Sequence, residues 1–89
     1  MGIVLTPFRW AGDGDKLAFI HQLMEEAFPA AERRSRRDFE ALLASEPRFL
    51  LHLIYRDEAL VGFLSTWHLE GFYYGEHFAI LPTERNQGI

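Results

Sequence analysis

The sequence contains no cysteine. Disulfide bonds, thiolate metal ligands and a cysteine nucleophile are therefore excluded. The sequence also lacks a Gly-x-Ser-x-Gly segment, which presents a nucleophilic serine on a sharp turn in many hydrolases. With neither nucleophile in place, we do not expect a reaction that passes through a covalent acyl-enzyme.

Several partner classes are disfavoured by what the composition lacks. The 9 basic residues are outnumbered by 13 acidic ones, and this formal charge of −4 argues against a nucleic-acid-binding surface. Uncharged apolar runs such as residues 59–67 are much shorter than the roughly 20 residues of a membrane span. The chain opens without the basic and apolar regions of a secretion signal, and its histidines have no close metal-ligand spacing. We therefore expect a cytoplasmic protein with no metal, nucleic-acid or membrane partner.

The first half of the sequence predicts one strand followed by two helices. Residues 3–8 are rich in β-formers, and Pro7 restricts this strand to a sheet edge or to a strand end. Apolar residues recur at helical spacing over about 14–27, where Pro29 ends the pattern, and again over about 35–45, with Ser35 as candidate N-cap. With no repeat or linker in the sequence, we expect residues 1–89 to form a single domain.

The second half predicts an antiparallel meander of three strands, over residues 49–56, 60–69 and 72–81. Short polar turns at 57–58 and 70–71 separate these strands. A two-residue second turn would pair Ser65 with Glu76 and place both in a largely apolar face with Trp67, Tyr74 and Phe78. A bulge would exchange the faces beyond it. The fold class is α+β, with element order β-α-α-β-β-β.

The segment from residue 78 to residue 89 carries the strongest functional signal. It runs from a strand through a proline into a polar loop that contains Gly88. Backbone N–H groups in such a loop can converge on a phosphate, and a glycine allows the phosphate to approach closely. By composition alone, however, an ordinary solvated turn is the more common explanation of such a loop.

This segment resembles the acetyl-CoA loop of the GNAT N-acetyltransferases when it is taken together with the element order. The family carries an Arg/Gln-x-x-Gly-x-Gly/Ala signature after its fourth strand, which Arg85 and Gly88 match, and the sequence ends before the last position. The Leu-Val-Gly-Phe run at residues 60–63 and the proline at position 82 also match. The resemblance covers essentially the whole chain and implies the N-terminal half of a GNAT-like fold, without its C-terminal helices and strands.

The resemblance also implies where acetyl-CoA binds. Its pantetheine arm would lie along the backbone of the fourth strand, where an N–H group at or near Ile80 could stabilise the thioester oxygen. Its pyrophosphate would contact the loop amides. The cofactor-binding residues implied are Phe78, Ala79 and Ile80 in the strand and Arg85, Asn86, Gln87, Gly88 and Ile89 in the loop.

Glu76 is the candidate catalytic base. It precedes the cofactor strand segment in an apolar stripe, where burial should raise its pKa toward a useful range. The alternative is a structural glutamate that is hydrogen-bonded to Ser65. His77 is a second candidate that should face the opposite way, and a structural role is favoured for it.

Two further residue groups leave alternatives open. The arginines at 33, 34, 36 and 37 could border the site of an anionic acceptor, but a solvated helix face is favoured. Phe28, Trp67, Tyr73 and Tyr74 could line an acceptor pocket, but packing roles are favoured.

The implied reaction is direct attack of a primary amine, on a small molecule or a protein, on acetyl-CoA in a ternary complex. The alternative is a non-catalytic GNAT-like module that binds CoA or a protein. We expect the 89-residue form to be a poor enzyme because it ends inside the pyrophosphate loop. We also expect its exposed fourth strand to favour a homodimer.

Overall fold

The computed structural model describes residues 2–85 of the chain. The elements are β1 (Ile3–Pro7), α1 (Trp10–Asp13), α2 (Leu17–Ala27), α3 (Arg36–Ser45), β2 (Phe49–Arg56), β3 (Ala59–Leu69) and β4 (Phe72–Ile80). Short 3-10 turns lie at Gly14–Lys16, Ala30–Glu32 and Pro82–Glu84. The α+β class and the predicted order are confirmed, with the short helix α1 as an addition. The loop residues Asn86, Gln87, Gly88 and Ile89 lie outside the described part of the chain.

The predicted ends of the helices are largely confirmed. The Oγ of Ser35 accepts a hydrogen bond from the N–H of Asp38 at 3.1 Å, which is the expected N-cap of α3. Helix α2 begins later than expected, because residues 14–16 form a 3-10 turn. The carboxylate of Asp13 joins this turn to α1 by accepting from the N–H of Arg9 at 2.9 Å and from Nζ of Lys16 at 2.7 Å.

The four strands form one antiparallel sheet in the order β1-β2-β3-β4. Strand β1 is an edge strand and ends at Pro7, in agreement with the limit that proline sets. The turn between β3 and β4 has Gly71 at φ 85°, a left-handed conformation that glycine adopts without strain. The meander is therefore confirmed, and β1 extends it by one strand.

The predicted register between β3 and β4 is correct near the turn and wrong beyond it. Pairing runs as expected from Leu69 with Phe72 as far as Thr66 with Gly75. Ser65 then pairs with His77, so Glu76 is an extra residue in a β-bulge. A bulge advances one strand by one residue, and the side chains beyond it change faces.

The bulge changes which β4 side chains enter the core. Ala79 is 4% exposed and packs in the main cluster, whereas Phe78 is 52% exposed and points away from it. That cluster lies between one face of the sheet and helices α2 and α3, and it includes Ile20, Phe39 and Phe63.

No helix among residues 2–85 is long and apolar enough to cross a membrane.

Candidate functional site

The bulge brings Glu76 and His77 to the same face of the sheet. Neighbouring strand residues normally point to opposite faces, but an inserted residue breaks that alternation. Glu76 bonds to Trp67, whose ring packs on the core residue Phe49, while the ring of His77 packs edge-on against Phe28 at 4.6 Å. The expectation that His77 faces away from Glu76 is therefore wrong.

The carboxylate of Glu76 is held by Arg34 and Trp67. Nε and Nη2 of Arg34 donate to Oε2 at 3.0 Å and to Oε1 at 2.8 Å, which gives a bidentate ion pair. Nε1 of Trp67 donates to Oε1 at 2.9 Å, and the guanidinium carbon of Arg34 lies 5.9 Å from the centroid of the Trp67 ring. The Glu76 side chain is 13% exposed and that of Arg34 is 36% exposed.

Ser65 does not form a hydrogen bond with Glu76. The predicted alternative, a structural glutamate bound to Ser65, therefore names the wrong partner. Because the bulge sets His77 opposite Ser65, the serine loses its place beside the carboxylate. Its Oγ is buried and has no hydrogen-bond partner within residues 2–85.

The pKa of Glu76 is lowered, contrary to the expectation from its apolar strand. Burial is the largest single influence and raises the pKa. The hydrogen bonds from Arg34 and Trp67, together with the positive charge of Arg34 and a smaller electrostatic influence of His77, outweigh burial and hold the pKa of Glu76 below its ordinary value of 4.5. Arg34 lies 42 residues earlier in the chain, so a reading of β4 alone misses it.

The other arginines of the basic cluster mostly secure the connection between α2 and α3. Nε of Arg33 donates to the carbonyl oxygen of Phe28 at 3.1 Å, and Arg36 forms a bidentate ion pair with Glu25 at 2.7 and 2.8 Å. The solvated helix face predicted for the cluster is therefore wrong for Arg34, which instead reaches the sheet.

The aromatic residues proposed for a pocket divide between the two sheet faces. Trp67 pairs with Tyr74 across β3 and β4, beside Glu76. Phe28 packs on His77, whereas the Tyr73 ring lies 4.3 Å from the ring of His68. Tyr74 thus lines the candidate site, Trp67 and Phe28 contact its residues Glu76 and His77, and Tyr73 lies elsewhere.

An open cavity of about 310 Å³ adjoins the carboxylate. It is lined by Ala31, Glu32, Arg33, Arg34, Tyr74, Glu76 and His77. Nε2 of His77 lies 2.6 Å from the carbonyl oxygen of Glu32 and donates to it, since a carbonyl can only accept. Nδ1 of His77 is 3.4 Å from Oε2 of Glu76 and is not aligned for a hydrogen bond. Polar and charged groups thus converge on this cavity.

The backbone of β4 offers a second feature, an outward-facing edge. The N–H of Leu81 donates to the carbonyl oxygen of Val61 at 2.8 Å, so the peptide groups alternate and those of Phe78 and Ile80 point away from β3. Within the described range, no strand pairs with this edge. Phe78, Ala79 and Ile80 can therefore accept the strand-like pairing that an amide-bearing arm requires.

Gly62 sets the position of this edge, a role that sequence reasoning missed. A Cβ at Gly62 would lie 2.4 Å from the carbonyl oxygen of Ala79 and 2.7 Å from Cδ1 of Ile80. Both distances are shorter than van der Waals contact, so only glycine lets β3 and β4 approach as they do. Its sequence signal was the glycine within the Leu-Val-Gly-Phe run at residues 60–63.

The start of the predicted phosphate loop follows the outward edge directly. Residues Pro82–Glu84 form a 3-10 turn, and Nε of Arg56 pairs with Oε1 of Glu84 at 2.8 Å. Arg85 is exposed at the end of the described chain.

In residues 2–85 no group of three or more His, Asp or Glu side chains could hold a metal ion.

Comparisons with known proteins agree with this geometry. The family model for the GNAT acetyltransferases matches residues 17–89. A solved structure from Bacteroides thetaiotaomicron, assigned to the GNAT family of acetyltransferases, has a TM-score of 0.86 and 30% identity, covering 96% of this chain and 48% of its own. This chain thus spans about half the length of that relative, and no curated protein matches it. The family match over residues 17–89 and the likeness to this solved structure show that the chain belongs to the GNAT acetyltransferase family.

Proposed function

We propose that this chain supplies the donor-binding strand and the acceptor-side carboxylate of an acetyl-CoA-dependent N-acetyltransferase. The observation that carries the proposal is the bulge in β4, which turns the largely buried carboxylate of Glu76 toward the polar cavity, shortly before the outward-facing peptide groups of Phe78 and Ile80. Family membership supports acetyl transfer in general. The proposed acceptor is a primary amine, which attacks directly in a ternary complex.

Donor binding is assigned to the end of β4 and to the loop after it. When bound, acetyl-CoA supplies an acetyl thioester, the activated form of the group to be transferred. The peptide groups of Phe78 and Ile80 pair with the amides of the donor's arm, and the side chain of Ala79 anchors this segment in the core. The N–H of Ile80 is the donor proposed to stabilise negative charge on the thioester oxygen. Arg85, Asn86, Gln87, Gly88 and Ile89 are proposed to hold the pyrophosphate.

Acceptor activation is assigned to Glu76. A primary amine is mostly protonated near neutral pH and must lose a proton before its nitrogen can attack. Glu76 and Glu32 both line the polar cavity. The Glu76 carboxylate is the one fixed by Arg34 and Trp67, and it is proposed to attract the ammonium group and to take up its proton. With no cysteine in the sequence, no thiol of this chain competes for the acetyl group.

The test is an assay of the full-length protein for thiol release from acetyl-CoA with a panel of primary amines. Release that requires an amine supports the proposal. The alternative, a non-catalytic module, predicts that CoA binds in calorimetry and that no amine in the panel causes thiol release. The cytoplasmic location and the homodimer stay predictions.

A further inference from the structure

The guanidinium of Arg34 occupies a site that has the features of an organic-cation site. The Glu76 carboxylate binds it in bidentate fashion at 2.8 and 3.0 Å, and the Trp67 ring lies 5.9 Å from its central carbon. A carboxylate combined with an aromatic face is the arrangement by which proteins recognise ammonium groups. Here the cation that fills this arrangement comes from the chain itself.

Glu76 is fixed more rigidly than Arg34 in this ion pair. Glu76 lies in β4 and is 13% exposed, and it also accepts from the indole N–H of Trp67. Arg34 is 36% exposed and lies on the short non-helical link between the 3-10 turn Ala30–Glu32 and α3. Arg34 can therefore leave by side-chain and linker rotation while the sheet keeps the carboxylate in place.

We propose that the guanidinium of Arg34 occupies the acceptor's binding site when no acceptor is bound. We further propose that the acceptor is an organic cation whose ammonium group displaces this guanidinium from Glu76. This inference rests on the proposed function. The aromatic side chains near Glu76 also indicate which kind of group is attached to the acceptor's amine. Tyr74 is 55% exposed and pairs with Trp67 across the strands, and it lines the cavity next to the carboxylate. A flat apolar or aromatic group attached to the amine would lie against the exposed Tyr74 ring.

Displacement of Arg34 also prepares Glu76 to take up a proton. Burial raises the pKa of Glu76, and the Arg34 hydrogen bonds are foremost among the influences that oppose it. With Arg34 gone, the ammonium N–H bond breaks and its proton forms an O–H bond on the carboxylate, while the bonding electron pair stays on nitrogen as the lone pair that attacks the thioester. The resulting carboxylic acid is uncharged and suits a buried position without a counter-ion.

The same exchange favours release of the product. Acetylation converts the amine into a neutral amide, which has no charge with which to hold the site against a guanidinium. After Glu76 releases its proton to the solvent of the open cavity, Arg34 returns to the carboxylate and the amide is displaced. The ion pair thus discriminates between substrate and product by charge.

The test measures binding of 2-phenylethylamine by NMR through the indole N–H of Trp67, which donates to Glu76. The chain has 2 tryptophans, and the Trp10→Phe variant assigns the signal. Arg34→Gln should bind this amine about fivefold or more tightly than the wild type, the factor that corresponds to a competing ion pair of ~1 kcal/mol. N-acetyl-2-phenylethylamine should shift the Trp67 signal in neither protein.

Arg37→Gln is the matched control, because it removes the same charge from an exposed position in α3. It should bind the amine within about twofold of the wild type, since an exposed charge that is not among the influences on Glu76 contributes little. Arg34→Lys keeps a competing cation and should also stay near the wild type. Equal affinity in Arg34→Gln and Arg37→Gln would overturn the inference.

A second measurement does not depend on any Arg34 variant. Saturation of the wild-type protein with 2-phenylethylamine should move the Nε–H resonance of Arg34 toward that of free arginine. An unchanged resonance at saturation would also overturn the inference. Amine binding without any thiol release would instead count against acetyl transfer and leave the Arg34 exchange standing.

Discussion

Gly62 leaves the space in which the backbone of Ile80 lies. A Cβ at Gly62 would be 2.7 Å from Cδ1 of Ile80, 3.2 Å from its Cα and 2.4 Å from the carbonyl oxygen of Ala79. The donor-binding edge of β4 is therefore positioned by a missing side chain on β3. This relationship makes the edge sensitive to a single methyl group.

We predict that Gly62→Ala lowers the free energy of unfolding by about 1–3 kcal/mol, because a backbone oxygen must move to accommodate the methyl group. Urea denaturation measures the loss. Gly75→Ala in β4 is the matched control, since a Cβ there meets no atom within 4 Å. We expect Gly75→Ala to stay within about 0.5 kcal/mol of the wild type. Equal stability of both variants would show that β4 adjusts freely at Ile80.

The elements of this fold could be predicted from the sequence because their signals are local. Alternating apolar residues and polar turns predict the meander, and Ser35 predicts the start of α3. The bulge at Glu76 could not be predicted, because it depends on how β3 and β4 pair rather than on a pattern within either strand. An acidic residue inside an apolar stripe was the only local sign of irregularity.

The candidate site was predictable in part for the same reason. Glu76 and the segment from Phe78 to Ile80 follow from position along one strand. The Arg34 partner does not, because 42 residues separate it from Glu76 and only the folded linker brings it back to the sheet. Burial was correctly expected to raise the pKa of Glu76, but the hydrogen bonds from the distant Arg34 and from Trp67, together with nearby charge, outweigh burial and lower this pKa.

The lowered pKa of Glu76 predicts a pH-dependent contribution to stability. A carboxyl group whose folded pKa is depressed stabilises the fold above its unfolded pKa, and the contribution is lost as pH falls through the folded pKa. The wild type should therefore be more stable than Glu76→Gln at neutral pH, and the difference should shrink as pH falls below the ordinary value of 4.5. Urea denaturation of both proteins, from neutral pH to below 4.5, measures this difference in stability. A difference that is constant with pH would contradict the ion pair with Arg34.

His77 is predicted to have a structural hydrogen bond. Its Nε2 donates to the carbonyl oxygen of Glu32 at 2.6 Å, so neutral His77 should carry its proton on Nε2. Nitrogen NMR identifies this tautomer directly. His77→Ala should lower the free energy of unfolding by about 1–3 kcal/mol, because it removes the donor to the Glu32 carbonyl oxygen and the packing of the buried ring against Phe28. A proton on Nδ1 in the neutral ring would contradict this assignment.

The outward edge of β4 predicts concentration-dependent self-association of the 89-residue chain. The edge of β4 that no strand of residues 2–85 covers, with its exposed apolar residue Phe78, can pair with a second copy. Sedimentation velocity should show a dimer that Phe78→Lys weakens. Val4→Lys is the matched control on the other edge strand, where Val4 is 53% exposed. If Val4→Lys alone abolished the dimer, the association would run through β1 instead.

The central claim is that β4 brings the thioester donor and the Glu76 carboxylate together for acetyl transfer to an amine. The most direct test is thiol release from acetyl-CoA by the full-length protein and its Glu76→Gln variant. We predict release that requires a primary amine and that falls by about 100-fold or more in the variant, the usual contribution of a positioned base. Amine-dependent release at an unchanged rate in Glu76→Gln would contradict the claim.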